Sequence, residues 1–459
     1  MAKSARQYEM NMTEGPLLGK ILRFSLPLAV TGILQLLYNA ADVVVVGQFV
    51  GSQALAAVSS TGSLVNLIVS VFSGLSLGTS VAVAQGYGAG KKEDASRAVH
   101  TSIAVALIGG LAVALLGLFL SRPMLVLMDS PDDVLDLSAL YLKIYFLGAP
   151  FNMLYNFGSA VLRAIGDTKR PLYFLTVSGL INVALNLFLV IVCGMGVAGV
   201  AIATVASQVV SCVLVLFCLI RSNGFIRLRP REIRIYKDKL LEILKIGLPA
   251  GIQGSIFSIS NVIIQSSING FGSAAMAGNG ASSNLEGFIS ISMDAIYQAA
   301  LTFISQNVGA RKPHRISKIM WCCLGVVSAV GIVMSGVYYL FQAPLLRIYN
   351  TEETVVQMGQ IRMSVMLPLY FVMGIMNVFV GGLRGFGNSF VPMMVSILGV
   401  CVFRMVWIYT VFPLEHTLTV LYLSYPISWF LTVTIHCICY LAVKKRFVRR
   451  MLAEGAAAE

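Results

Sequence analysis

Asp42 stands in an apolar run with Gln35, Tyr38 and Asn39, at spacings of three, four and seven residues that place all four on one helical face. No Lys or Arg lies within helical reach of Asp42. A charged side chain in mid-membrane costs about 2.5 to 3.5 kcal/mol on insertion scales, so this carboxyl group is a candidate carrier of a proton or a cation. Ser178, Asn182 and Asn186 recur every four residues and form a stripe that could face Asp42; Thr204 adds a hydroxyl. A carboxylate with carbonyl-type oxygens is the ligand set that hard cations prefer, and it also suits a shared proton. The plainer role for the two amides is helix–helix hydrogen bonding, about 0.6 kcal/mol each. In the second half, Glu286, Ser290, Asp294, Gln298 and Thr302 repeat every four residues, over about 24 Å of helix. Two acids there suggest a water-accessible wall along a substrate path. Asn261 and Gln265 form a neutral pair of the same kind, and Gln35 and Asn39 complete the candidate substrate-contacting set. Arg404, in the middle of another apolar run, needs a carboxylate or carbonyl partner that the sequence does not name.

Other chemistries find no support. The eight cysteines are dispersed and mostly within apolar runs, and the four histidines are scattered, so no metal site is expected. No phosphate-cradling glycine loop, zinc-binding helix motif or nucleophile elbow occurs, and no cofactor is implied. For an intramembrane enzyme, Glu286 and Asp294 are the only paired candidates.

These residues are embedded in a chain of 459 residues, 57% hydrophobic and 12% charged, with a mean hydropathy of +0.82. Soluble domains carry about 25% charge, so a soluble enzyme is excluded. Apolar stretches of spanning length run over 19–44, 53–80, 97–120, 137–160, 171–193, 197–220, 241–267, 274–303, 316–341, 358–381, 392–412 and 418–442. The net charge of +13 does not indicate nucleic acid. Of the 33 Lys and Arg, 28 fall in the termini and alternate loops, four (Arg122, Lys143, Arg347, Arg362) in the opposite loops, and Arg404 within a span. That asymmetry predicts both termini in the cytoplasm of a multi-pass protein of the cell membrane.

The chain also repeats itself at a shift of 221 or 222 residues. Leu26-Pro27 recurs as Leu248-Pro249, Asn39 as Asn261, and the Gln85-Gly86-Tyr87-Gly88-Ala89 loop as Gln306 to Ala310. Leu162-Arg163-Ala164-Ile165-Gly166-Asp167 recurs as Leu383-Arg384-Gly385-Phe386-Gly387-Asn388. Six spans per repeat bring the second half in from the same face as the first. The expected fold is therefore all-α, with twelve transmembrane helices in two parallel six-helix lobes flanking a central cavity. The boundaries read as 1–220 for the first lobe, 221–240 for a basic cytoplasmic linker suited to lipid headgroups, and 241–459 for the second.

The repeated Leu-Pro, the run Asn39-Ala40-Ala41-Asp42 leading to Gly47, the Gln85 loop and the Leu162 to Asp167 motif together resemble the multidrug and toxic compound extrusion (MATE) family, prokaryotic type. The resemblance covers about residues 14 to 445. It implies export of organic, often cationic and amphipathic, compounds in exchange for protons or sodium ions, with the coupling site in the amino-terminal lobe. Asp42 matches the acid of the first helix and Asn182 the amide of the fifth. By spacing, Tyr141 and Thr204 match a tyrosine of the fourth and a hydroxyl of the sixth. Asn186 departs from a position that is often Asp in the family, which leaves one carboxylate where the pattern often has two and keeps the ion open.

The expected mechanism is antiport by mutual exclusion at Asp42: ionised with cationic cargo, neutralised by the incoming ion, with the lobes rocking about Pro27 and Pro249 to alternate access. The expected partners are small-molecule cations and membrane lipid, with the protein a monomer. The alternative is a flippase for a lipid-linked headgroup, which would line its cavity with cationic residues to hold phosphate.

Overall fold

The computed structural model describes residues 8–128 and 131–456. Runs of Leu, Ala, Val and Ile with few helix breakers fold into helices α1 (Leu17–Phe49), α2 (Ser52–Gly88), α3 (Lys92–Leu127), α4 (Asp132–Leu147), α5 (Ala149–Ala164), α6 (Lys169–Leu187) and α7 (Gly196–Arg221). The second half gives α8 (Lys237–Asn269), α9 (Ser273–Gly309), α10 (Pro313–Leu340), α11 (Gln342–Arg347), α12 (Glu353–Met366), α13 (Tyr370–Gly385), α14 (Phe390–Ser396), α15 (Phe403–Thr410) and α16 (Leu418–Ala456). Among the described residues, eleven helical stretches are long and apolar enough to cross a membrane, and α4 with α5 forms a twelfth that is bent by 46°. The bend falls at Gly148, where a continuous span over 137–160 was expected. Pro150, at the start of α5, has no N–H to give and clashes with the carbonyl one turn back, which breaks a helix. In the second half the corresponding stretch is broken at Pro368 by the short 3₁₀ turn Leu367–Leu369 between α12 and α13.

The chain forms two compact units. Unit 1 is Met1–Asn11, of which residues 8–11 are described, with Val30–Gly247; unit 2 is Met12–Ala29 with Leu248–Glu459. The divisions pass within α1 and α8, close to Pro27 and Pro249, rather than at residues 220 and 241. Residues 1–7, 129–130 and 457–459 of the expected lobes lie outside the described residues. The basic connector groups with unit 1 because it docks on α3: the Arg229 amide donates to His100 Nε2 and the Tyr236 amide to Thr101 Oγ1, each at 3.1 Å. In unit 1, α3 packs on α4 and α5, and α6 on α7; in unit 2, α9 packs on α10, α12 and α13. Helices in lipid associate through close packing of small residues, since the tails outside are as apolar as Leu. Gly278 of α9 and Gly359 of α12 meet this way: a side chain on Gly278 would press on the Gly359 backbone. Large side chains such as Phe119, Leu127, Leu340 and Tyr409 stay exposed, as an apolar solvent allows.

The repeated motif Leu-Arg-x-x-Gly-Asp/Asn folds identically in both units. The Gly166 and Asp167 amides donate to the carbonyls of Arg163 and Leu162 (2.9 and 3.0 Å), and those of Gly387 and Asn388 to Arg384 and Leu383 (2.8 and 3.1 Å). These are helix-terminating turns that need a left-handed residue, and Gly166 and Gly387 supply it at φ +90° and +84°. The following side chain then caps the next helix: Asp167 Oδ1 accepts from the Arg170 amide at 3.1 Å, Asn388 Oδ1 from the Val391 amide at 3.3 Å. The motif is architectural.

Candidate functional site

In unit 1, α1 and α6 bring the first cluster together. Gly179 of α6 has no side chain where the Tyr38 ring of α1 lies, so a methyl group there would overlap the ring. That close crossing sets Asp42 opposite Asn186, whose Nδ2 donates to Asp42 Oδ1 and, at 3.4 Å, to Asn182 Oδ1. Asp42 is half-buried, and Asn182 and Asn186 are buried. No ion pair involves Asp42 among the described residues. The buried Asn186 Oδ1 has no hydrogen-bond partner among the described residues, which leaves an acceptor next to the carboxylate where a proton donor or cation can sit. Tyr141 of α4 packs against the apolar cluster that contains Val45, Val46 and Val190. Thr204 of α7 donates to its own helix, to the Val200 carbonyl at 3.0 Å, and its oxygen keeps acceptor capacity. Gln35 and Asn39, on the same helix as Asp42, are exposed.

In unit 2 a cavity of about 510 Å³ is lined by Asn261, Gln265, Glu286 and Ser290, joined by Arg362, Tyr370, Arg404, Tyr425 and Trp429. Asp294 and Gln298 are not among its lining residues. Asp294 is exposed, whereas Glu286 is buried. A four-residue repeat drifts by about 40° per step on a helix of 3.6 residues per turn, so the expected single stripe winds about 160° around α9 over its length. Glu286 is not a free acid on a wet wall: Arg362 of α12 holds it through two hydrogen bonds, Nε to Oε1 at 3.0 Å and Nη2 to Oε2 at 2.7 Å. A basic residue near the end of a span need not be solvated: Arg362, expected among the external loop charges, is instead buried and paired with Glu286. Its position inside the apolar run 358–381 was the available signal. Asn279 extends the network. Its Oδ1 accepts from Arg362 Nη1 (2.6 Å) and the Tyr422 hydroxyl (3.2 Å), and its Nδ2 donates to Gln265 Oε1 (2.9 Å). Arg404 of α15, expected to find a carboxylate or carbonyl, has neither among the described residues. Its Nε donates to Ser428 Oγ at 3.1 Å and its guanidinium lies 3.9 Å from the Tyr425 ring centre. No three of His, Cys, Asp and Glu gather as a metal site among the described residues.

Twelve spans in duplicated order, with buried polar clusters in each unit, define a polytopic membrane transporter. The chain belongs to the MATE family: the MatE family model matches residues 27–188 and again 249–410, one match per repeat. Among curated proteins it is similar to the probable multidrug resistance protein YoeA of Bacillus subtilis, 29% identical over 387 residues, 82% of this chain and 83% of that one. It is also similar to an FAD transporter of Shewanella oneidensis, 26% identical over 386 residues, 83% of this chain and 84% of that one. Of solved structures, a MATE protein in a bent conformation matches with a TM-score of 0.87 at 19% identity, covering 97% of this chain and 98% of that one. An outward-facing multidrug resistance MATE family transporter matches with 0.87 at 20%, covering 95% and 97%. These likenesses share the helical fold.

Proposed function

We propose that this transporter is a secondary antiporter that exports organic compounds, often cationic and amphipathic, in exchange for protons or sodium ions. Asp42 is the coupling residue, with Asn182, Asn186, Tyr141 and Thr204 around it. Gln35, Asn39, Asn261, Gln265, Glu286, Asp294 and Gln298 are the substrate-contacting candidates. The observation that carries this reading is the Asn186 to Asp42 hydrogen bond, beside an amide oxygen that has no partner among the described residues. Together they form an ion-pair-free carboxylate with spare oxygen ligands. Several relatives carry names such as multidrug export protein MepA of Staphylococcus aureus, which supports a small-molecule cargo. A carboxylate that cannot hold cargo and coupling ion at once links the two fluxes, while the two units move as bodies to alternate access. A one-for-one exchange of monovalent cations moves no net charge, so the chemical gradient drives export, about tenfold accumulation per 1.4 kcal/mol. The basic loops support a cell-membrane protein with both termini cytoplasmic, and we take it to work as a monomer among membrane lipids. The test is efflux of a fluorescent organic cation from cells under separately imposed pH and sodium gradients: one of the two should drive it. Efflux indifferent to both would contradict the reading.

A further inference from the structure

The charge inside the unit 2 cavity does not cancel. Its lining carries Glu286, Arg362 and Arg404, and Glu286 is already engaged through both oxygens by Arg362. Arg404 is left over, only 6% exposed. A guanidinium has five N–H donors. In the described structure one of them, on Nε, is taken by Ser428 Oγ, which in turn donates to the Tyr425 carbonyl at 2.7 Å. The two terminal nitrogens make no hydrogen bond to a described residue, and no described carboxylate pairs with them. A charge removed from water demands an opposite charge, and a guanidinium fork matches carboxylate, sulfonate or phosphate oxygens two at a time.

The surroundings specify the rest of the ligand. Tyr425 lies under Arg404, Trp429 stands 6.3 Å from Tyr425 by ring centres, and Tyr370 meets Trp429 edge-on at 5.5 Å. Aromatic faces and edges of this kind pack planar rings. Met373 and Met376 also line the space, with flexible side chains that adapt to irregular apolar shapes. About 510 Å³ falls within the range of sites for drug-sized molecules.

We propose that this cavity is a binding site for an aromatic organic anion, with the anionic group on the Arg404 guanidinium and the ring against Tyr425 and Trp429. The site lies within unit 2 and does not use Asp42; Asn261, Gln265 and Glu286, proposed above as substrate contacts, line the same cavity, so the cargo they meet there is an anion or the anionic end of a zwitterion. Glu286 and Asn279 act as positioning residues, because they fix Arg362 and leave Arg404 as the uncompensated charge.

The test is calorimetric titration of the full-length protein in nanodiscs with three naphthalene probes of one shape: the 2-sulfonate, the neutral 2-sulfonamide and the 2-trimethylammonium cation. The sulfonate should bind at least tenfold tighter than the other two. Arg404→Gln should erase that preference while leaving sulfonamide affinity within about twofold, and Arg404→Lys should keep part of it. Asp42→Asn should leave sulfonate affinity unchanged, which separates this site from the coupling site. Equal affinity for sulfonate and sulfonamide in the unaltered protein, or tighter binding of the cation, overturns the proposal without any variant. Sulfonate preference that survives Arg404→Gln overturns the assignment to Arg404.

Discussion

Asn186 of α6 donates its side-chain amide to Oδ1 of Asp42 on α1, 144 residues earlier in the chain. The bond orients the carboxylate and leaves Asn186 Oδ1 without a partner among the described residues. Hydrogen bonds to charged groups contribute about 1.5–3 kcal/mol, roughly ten- to hundredfold in an equilibrium. Asn186→Leu should therefore shift the half-saturating coupling-ion concentration by about that factor, downward if the ion is a proton and upward if it is sodium, with Asn186→Gln between the two. Initial uptake rates in proteoliposomes against coupling-ion concentration measure this. An unchanged half-saturating concentration in Asn186→Leu would place the coupling site elsewhere.

Glu286→Gln should destabilise unit 2 strongly, because it strands the buried Arg362 charge. Breaking one side of a buried pair costs about 3–5 kcal/mol. Replacing both partners, Glu286→Gln with Arg362→Met, should recover most of the loss. Thermal unfolding of the purified protein reads the difference, and equal melting of single and double variants would argue against the pair.

Gly179→Ala should disturb the crossing of α1 and α6, since the added methyl overlaps the Tyr38 ring. Overpacking costs about 1–3 kcal/mol and here also displaces the helix that carries Asp42. Transport should fall with stability, and Tyr38→Leu in the same chain should restore both. If Gly179→Ala melts and transports as the original does, the contact is not tight.

Gly387→Ala should cost about 1–2 kcal/mol for forcing a side chain into a left-handed turn, with Gly387→Asn milder. Gly166→Ala should cost more, because its added methyl would also strike Met10. A denaturation series on these three variants ranks them, and equal costs for Gly166→Ala and Gly387→Ala would remove Met10 from the account.

The span pattern, the duplication and the separate polar faces of α1 and α6 were legible in the sequence because each is local: hydropathy marks helices, a fixed register marks a repeat, and three- and four-residue spacing marks a face. The bend at Gly148 was hidden because the apolar run continues through it. The Glu286–Arg362 pair and the Asn279 network were hidden for a different reason. They join α9 to α8, α12 and α16, and no spacing within one helix reports which side chains meet across helices. That Arg404 meets no carboxylate among the described residues was unreadable for the same reason, as a basic residue in an apolar run implies some compensation without naming it. The four-residue repeat on α9 does not hold one face, since periods of 4.0 and 3.6 diverge over sixteen residues, and Glu286 is buried while Asp294 is exposed.

Uptake of an organic cation into inverted membrane vesicles, original protein against Asp42→Asn, tests the central claim most directly. With a proton or sodium gradient imposed, the original protein should accumulate the cation, and Asp42→Asn, present at the same level and with the same melting temperature, should not respond to either gradient. Uptake by Asp42→Asn at the original rate, still driven by pH or sodium, would contradict the assignment of coupling to Asp42.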